Sequence, residues 1–256
     1  PVAATGSYLW RSRQQGEGVA LTVDFGGGTL DLAVVRYQGA RFRVLATEGL
    51  ALGGDRIDQM IFSSLLFPEL GKGEPWRRPV DGREVETLFP FEEFESGLLN
   101  WQTTHLLSQN RTRAMVVDRL SRGGVAAPKF QRLLDLISYS YSYNCIQAIK
   151  RAKAALSQVE STQIDIPELN LQVPFTRARF DALLAPVLDQ LRGRVLSVLE
   201  RARIAPGEVS VVIRTGGSSE IVAVKSLLEA LFPGRVVGHE PFTSVACGLA
   251  LAAFEG

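Results

Sequence analysis

The 256-residue sequence predicts a mixed α/β protein, and three observations carry that prediction. Val19, Ala20, Leu21 and Val23 lead into the glycine-rich turn Asp24-Phe25-Gly26-Gly27-Gly28-Thr29, and Leu32 to Val35 lead out of it. That order reads as strand, tight turn, strand. Val209 to Thr215 is nearly continuous in apolar residues and runs into Gly216-Gly217-Ser218-Ser219, as in a strand covered on both faces that feeds a helix. Phe130 to Leu156 and Phe180 to Leu199 repeat apolar residues at helical spacing.

Composition sets the bounds. At 46% hydrophobic and 21% charged, the chain has the make-up of a globular protein large enough for one large or two small cores. A net charge of +1 without long single-sign runs argues against a nucleic-acid binder, leaving small molecules and proteins as expected partners. Cys145 and Cys247 are too few for a disulfide framework, and with His105 and His239 they offer no zinc-ligand spacing. The apolar tract Val245 to Phe254 falls short of the ~18 residues that span a bilayer. Neither a membrane protein nor a secreted one is expected, and a reducing cytoplasm is the predicted compartment. The opening Pro1-Val2-Ala3-Ala4 lacks Met and reads as the middle or exit of a helix, so the chain is expected to be an excised segment.

Taken in order, residues 1–18 predict a short helix and a polar linker. The hairpin follows, then a turn at Tyr37-Gln38-Gly39-Ala40 and a third strand through Phe42, Val44 and Leu45 to Gly49. Gly53-Gly54 precedes a helix through Ile57, Met60, Ile61 and Leu65. Residues 67–128 are punctuated by prolines, with helices expected at about 90–99 and 101–120. One helix is predicted from Pro128 to about Ser157, with Lys150, Arg151 and Lys153 complementing its C-terminal dipole. Ile164-Asp165-Ile166 and Leu171-Gln172-Val173 predict two short strands. A helix N-capped by Thr176 should run to about Ala202, kinked or split at Pro186. The last third repeats strand, helix, strand, helix, with Arg235 to Val237 as the short strand and Thr243 or Ser244 opening the final helix.

Three consecutive glycines remove every Cβ from the first turn, so its N–H groups can converge on an anion. Asp24, Thr29 and Asp31 add oxygens suited to a hard cation or an attacking water. An ordinary glycine-rich β-turn would use the same residues. Gly53-Gly54 before a helix, and Gly216-Gly217 between a buried strand and a helix, are each placed to let a ligand approach free N–H groups.

The order of these segments resembles the C-terminal lobe of the nucleotide-binding domain of the DnaK (heat-shock protein 70) chaperones, within the actin and sugar-kinase superfamily. Pro1 to Ala4 is similar to that family's crossing helix, Asp24 to Asp31 to its second phosphate loop, and Leu52-Gly53-Gly54 to its Leu-Gly-Gly. Arg151-Ala152-Lys153 with Leu156-Ser157 resembles its Arg-Ala-Lys-x-x-Leu-Ser helix, Thr176 to Phe180 its Thr-Arg-Ala-Arg-Phe, and Thr215 to Ser218 its adenosine loop. The resemblance implies a ribonuclease-H-like, actin-like ATPase lobe (residues 19–53 and 185–256, after an N-terminal helix and linker at 1–18) with an inserted α+β cap at 54–184. It also implies ATP or ADP with magnesium. Asp24 would sit near the attacking water or the metal's water shell, and Thr29 would share its catalytic role. Gly26, Gly27, Gly28 and Thr29 would hold the β- and γ-phosphates, with Gly53 and Gly54 beside them. Asp24 and Asp31 would organise the cation through water. Gly216, Gly217 and Ser218 would meet the α-phosphate and adenosine, Lys153 the ribose and Ser157 the base, with Lys150 a further nucleotide-binding candidate.

The sequence departs from the family at the adenine clamps. Ala154 and Glu220 stand where typical members have arginines that stack on the base, Lys150 replaces an acidic residue, and Phe242 follows Pro241 where another acid is usual. Losing a cation–π face of ~1–2 kcal/mol should weaken adenine recognition about tenfold or more. The resemblance further implies an N-terminal lobe of the same protein as a missing partner, a co-chaperone or client as another, and no significant turnover by this fragment alone. The competing expectation is a nucleotide-poor interaction platform, motivated by the lost arginines and by Trp76, Phe91, Phe94 and Trp101, although such aromatics more often form satellite core. A sugar or metabolite kinase is argued against by the Thr-Arg-Ala-Arg-Phe and Arg-Ala-Lys segments.

Overall fold

The computed structural model describes residues 1–12, 16–39, 41–239 and 243–255. Parts of the expected linker at 11–18 and of the turn at Tyr37 to Ala40, and the Pro241-Phe242 departure, lie outside the described residues. In chain order the elements are α1 (Val2–Arg11), β1 (Glu17–Phe25), β2 (Leu30–Gln38), β3 (Arg41–Leu50), α2 (Gly54–Ile61), β4 (Pro75–Val80), β5 (Arg83–Leu88), α3 (Glu92–Leu99), α4 (Asn110–Ser121), α5 (Ala127–Tyr139), α6 (Ser142–Ala155), β6 (Ser161–Ile166), β7 (Leu171–Thr176), α7 (Arg177–Ala202), β8 (Val211–Thr215), α8 (Val222–Leu231), β9 (Val236–Gly238) and α9 (Ser244–Glu255). The mixed α/β class expected from the sequence is the one found. Residues 1–57 with 181–256 form one compact unit, and residues 58–180 another.

The first unit is built on a five-stranded sheet of order β3-β2-β1-β8-β9. β1, β2 and β3 form an antiparallel meander, while β8 joins β1 in parallel and β9 joins β8 in parallel. Val19 to Val23, Leu32 to Val35 and Val211 to Ile213 are all buried, so the central strands are covered on both faces, as their continuous apolar runs require. On one face α1 packs Leu9 against Ala20, Tyr37, Val211 and Ile213. The Thr5 and Thr22 hydroxyls meet at 2.6 Å inside that contact, which leaves neither buried oxygen without a partner. α1 also packs on α9 so closely that a Cβ on Gly248 would lie 1.8 Å from the Ala3 carbonyl oxygen.

The second unit holds two hairpins, β4–β5 and β6–β7, among helices. Its core is aromatic: Phe62, Phe67, Phe89, Phe91, Phe94 and Phe130 are fully buried, with ring centroids 4.8 Å apart for Phe89 and Phe130 and 5.0 Å for Phe67 and Phe91. Trp76 is 7% exposed, so of the four aromatics that suggested an interface only Trp101, at 47%, lies open.

Several element expectations are corrected. The long stripe at 128–157 is two helices, because Ser140 takes a left-handed φ of 58° and ends α5. The helix expected at 101–120 begins only at Asn110. Before it, Thr104 Oγ1 donates to the Gly97 carbonyl at 3.0 Å and the Asn100 side chain accepts from the Gln102 N–H at 3.2 Å. Such side-chain bonds compete with helical ones. The helix after Gly54 turns to π geometry at Phe62–Leu66. α7 runs unbroken past Pro186. The carbonyl freed by the proline is that of Ala182, an exposed residue. The β4–β5 hairpin had no counterpart in the sequence reading. It turns on Asp81 and Gly82, both at positive φ, an arrangement that Asp-Gly favours.

Candidate functional site

The site is assembled where β1 ends and β2 begins. The turn closes through the Gly26 N–H, which donates to the Thr29 carbonyl at 2.9 Å. Gly27, Gly28 and Thr29 are exposed. Their own N–H groups make no hydrogen bond among the described residues. N–H donors left without internal partners in a glycine turn are of the kind that can cradle an anion. The Thr29 hydroxyl donates to Asp31 Oδ2 at 2.7 Å, and Asp24 and Asp31 face each other as partners in the β1–β2 register.

Two further turns lock onto this one. The Gly54 N–H donates to the Gly26 carbonyl at 3.0 Å and the Asp55 N–H to the Gly27 carbonyl at 2.7 Å. From the other side, the Ser218 hydroxyl donates to the Gly26 carbonyl at 2.9 Å. A Cβ on Gly53 would lie 2.3 Å from the Gly27 oxygen. One on Gly216, whose φ is +81°, would lie 2.4 Å from the Phe25 oxygen. Glycine is required at both positions because backbone meets backbone. All three expected glycine turns of the first unit are thus brought together.

Electrostatics single out Asp24. Burial is the largest influence and pushes its carboxyl above the ordinary value. The charge of Asp31 adds to that shift. Among the described residues no group of three His, Cys, Asp or Glu side chains is placed to hold a metal ion. Asp24 and Asp31, paired across the β1–β2 register, are the carboxylates that could hold a cation through its water shell.

Lys150, Lys153 and Ser157 belong to the second unit. There Lys153 Nζ donates to Asp58 Oδ1 at 2.5 Å, with Lys150 Nζ 3.9 Å from Oδ2. Asp58 is 2% exposed, a buried carboxylate of the kind that needs a paired cation. Sequence reasoning missed it, although an acid beside Ile57 on an apolar helix face was the available signal. Ser157 donates its N–H to the Ala154 carbonyl at 3.1 Å. Glu220, at one lost clamp, is engaged by Arg214 at 2.9 Å and Lys225 at 2.7 Å. Burial pushes its carboxyl up, but the hydrogen bonds from Lys225 and Arg214 outweigh that and hold it below its ordinary value.

A mixed sheet of this order, with glycine turns interlocked at its strand ends, defines the class of actin-like ATPase folds. The family model described as Hsp70 protein matches residues 1–72 and 133–254, and the chain belongs to the Hsp70 family. It is similar to the chaperone protein DnaK of Cenarchaeum symbiosum (strain A), 25% identical over 264 residues that cover 99% of this chain and 31% of that protein. It is likewise similar to the chaperone protein DnaK of Nitrosopumilus maritimus (strain SCM1), 24% identical over 244 residues covering 91% of this chain and 29% of that one. The chain therefore spans about three tenths of the length of these curated relatives. Residues 73–132, which carry β4, β5, α3 and α4, lie outside the family match.

Proposed function

We propose that this chain is the adenine-nucleotide-binding lobe of a chaperone-like ATPase. One observation carries the reading: the unbonded N–H groups of Gly27, Gly28 and Thr29, in a loop pinned by Gly54, Asp55 and Ser218. In this reading they donate to oxygens of the β- and γ-phosphates. Phosphoryl transfer needs positioning and charge neutralisation more than a covalent nucleophile. Asp24 orients the attacking water, helped by Thr29, and Asp24 and Asp31 hold a magnesium ion through its water shell. Gly53, Gly54, Gly216, Gly217 and Ser218 bring backbone against the nucleotide. The roles of Lys153 at the ribose and Ser157 at the base rest on the family resemblance, and Lys150 is a further candidate nucleotide contact. Ala154 and Glu220 leave the base without its usual guanidinium planes, so affinity should fall below that of members that keep them.

The N-terminal lobe of the same protein and a co-chaperone or client are the partners this reading entails, and neither nucleic acid nor membrane has a part in it. No helix among the described residues is long and apolar enough to cross a membrane. Both thiols are free, and burial pushes that of Cys145 up to about 12, which suits a reducing cytoplasm.

Calorimetry on the full-length parent with ATP, ADP and magnesium tests the reading. Micromolar or tighter binding is expected, with turnover abolished by Asp24→Asn and no significant turnover from residues 1–256 alone. No binding at millimolar nucleotide would sink it and favour the interaction platform, to which the engagement of Glu220 by Arg214 and Lys225 already lends support.

A further inference from the structure

Arg119, on α4, is the only buried arginine among the described residues, at 8% exposure. A buried guanidinium is costly unless it is paired, and its neighbours show the usual solution: Arg77 pairs with Glu86, and Arg122 with Asp118 at 2.9 Å. Arg119 has no carboxylate among the described residues. Its Nε donates to the Pro75 carbonyl at 2.8 Å, its Nη1 donates to the Gly123 carbonyl at 3.1 Å, and its guanidinium carbon stands 4.7 Å from the centre of the Phe130 ring. These contacts fix the plane and leave Nη2 without a hydrogen bond. Nη2 is not sealed from solvent. Arg119 borders a cleft of about 300 Å³, lined also by Arg77, Arg122, Glu86, Gly123 and Gly124. The two glycines take successive positive φ angles of 63° and 86°, and the Gly124 N–H has no partner among the described residues.

We propose that this cleft binds a small oxyanion, a phosphate or carboxylate group, with Arg119 as its principal ligand. With Nε and Nη1 held by carbonyls, Nη2 of the fixed guanidinium offers its N–H groups and a positive charge to an oxyanion. Glu86 and Asp118 pair with Arg77 and Arg122 and offset their charge, and Glu84 lies nearby, so the attraction rests on Arg119 at close range, which limits the site to one small anion. The cleft lies within residues 73–132, outside the family match, and is independent of the glycine turns that carry the nucleotide reading.

The test is an amide NMR titration of the whole chain with sodium phosphate and, separately, sodium acetate, against sodium chloride at equal ionic strength. Saturable shifts at Gly123 and Gly124 are expected with at least one of the two anions, and the tighter one names the ligand class. Arg119→Lys should weaken that binding about tenfold. Arg122→Gln, at a more exposed position, should weaken it a few-fold without unfolding the chain, which keeps the test valid if Arg119→Lys does not fold. Shifts equal to those in chloride, or shifts confined to Gly26 to Thr29, would overturn the proposal.

Discussion

At the scale of single residues, the glycines of the three turns are not equivalent. A Cβ on Gly53 meets the Gly27 backbone at 2.3 Å, whereas one on Gly28 meets nothing within 4 Å. Gly53→Ala should therefore cost on the order of 2 kcal/mol in urea unfolding, and Gly28→Ala under about 0.5 kcal/mol. Equal effects would mean that the turns do not interlock. A run of glycines discloses where backbone can approach a ligand, but not which glycine faces another strand's carbonyl. That distinction depends on pairs far apart in sequence. Lys153 makes the same point: its helix was legible from apolar spacing, but its partner Asp58 is a long-range contact. On α4, hydrogen bonds from Arg122 hold the Asp118 carboxyl below its ordinary value, and the indole N–H of Trp76 on β4, 2.8 Å from Oδ2, adds to this. A depressed folded value contributes stability that is present above about pH 4 and is lost as pH falls through the lower folded value. The stability gap between the protein and Asp118→Asn should accordingly be larger at pH 6 than at pH 3, and a gap that widens on acidification would contradict this.

Among the elements, strands read best where apolar runs were bounded by glycine, and helices read worst where periodicity hid a break. The meander β1–β2–β3, the buried strand β8 and the pair β6–β7 all follow from local pattern. The division of the 128–157 stripe does not, because apolar spacing continues through Ser140 while the backbone there reverses hand. Ser140→Gly should stabilise the protein by roughly 0.5–1 kcal/mol, since glycine adopts φ of +58° without a Cβ penalty. A lower urea midpoint in that variant would show that the Ser140 side chain contributes more than its backbone costs. The missed hairpin β4–β5 is a different case: its Asp81-Gly82 signal was present, but prolines at 75 and 79 on a strand exposed along almost its whole length masked the alternation.

For the whole molecule, the mixed class and the family were both accessible from a few ordered motifs, while residues 73–132 were opaque because no familiar pattern covers them. The aromatic core of the second unit, with Phe94 fully buried, implies self-sufficiency. Residues 58–180 expressed alone should melt cooperatively and keep Cys145 protected from thiol reagents until they unfold. Rapid labelling at pH 8 without denaturant would refute this.

The seat of Gly248 on Ala3 has a consequence for the order of events at the ribosome. α1 emerges with a face whose partner, α9, is encoded 245 residues later, from Ala3 to Gly248. At synthesis rates of ~5–20 residues per second that partner follows only after an interval on the order of 10–50 s. During that delay the nascent helix must remain uncommitted or be shielded by another factor, so synthesis rate, and not only equilibrium stability, becomes a determinant of yield.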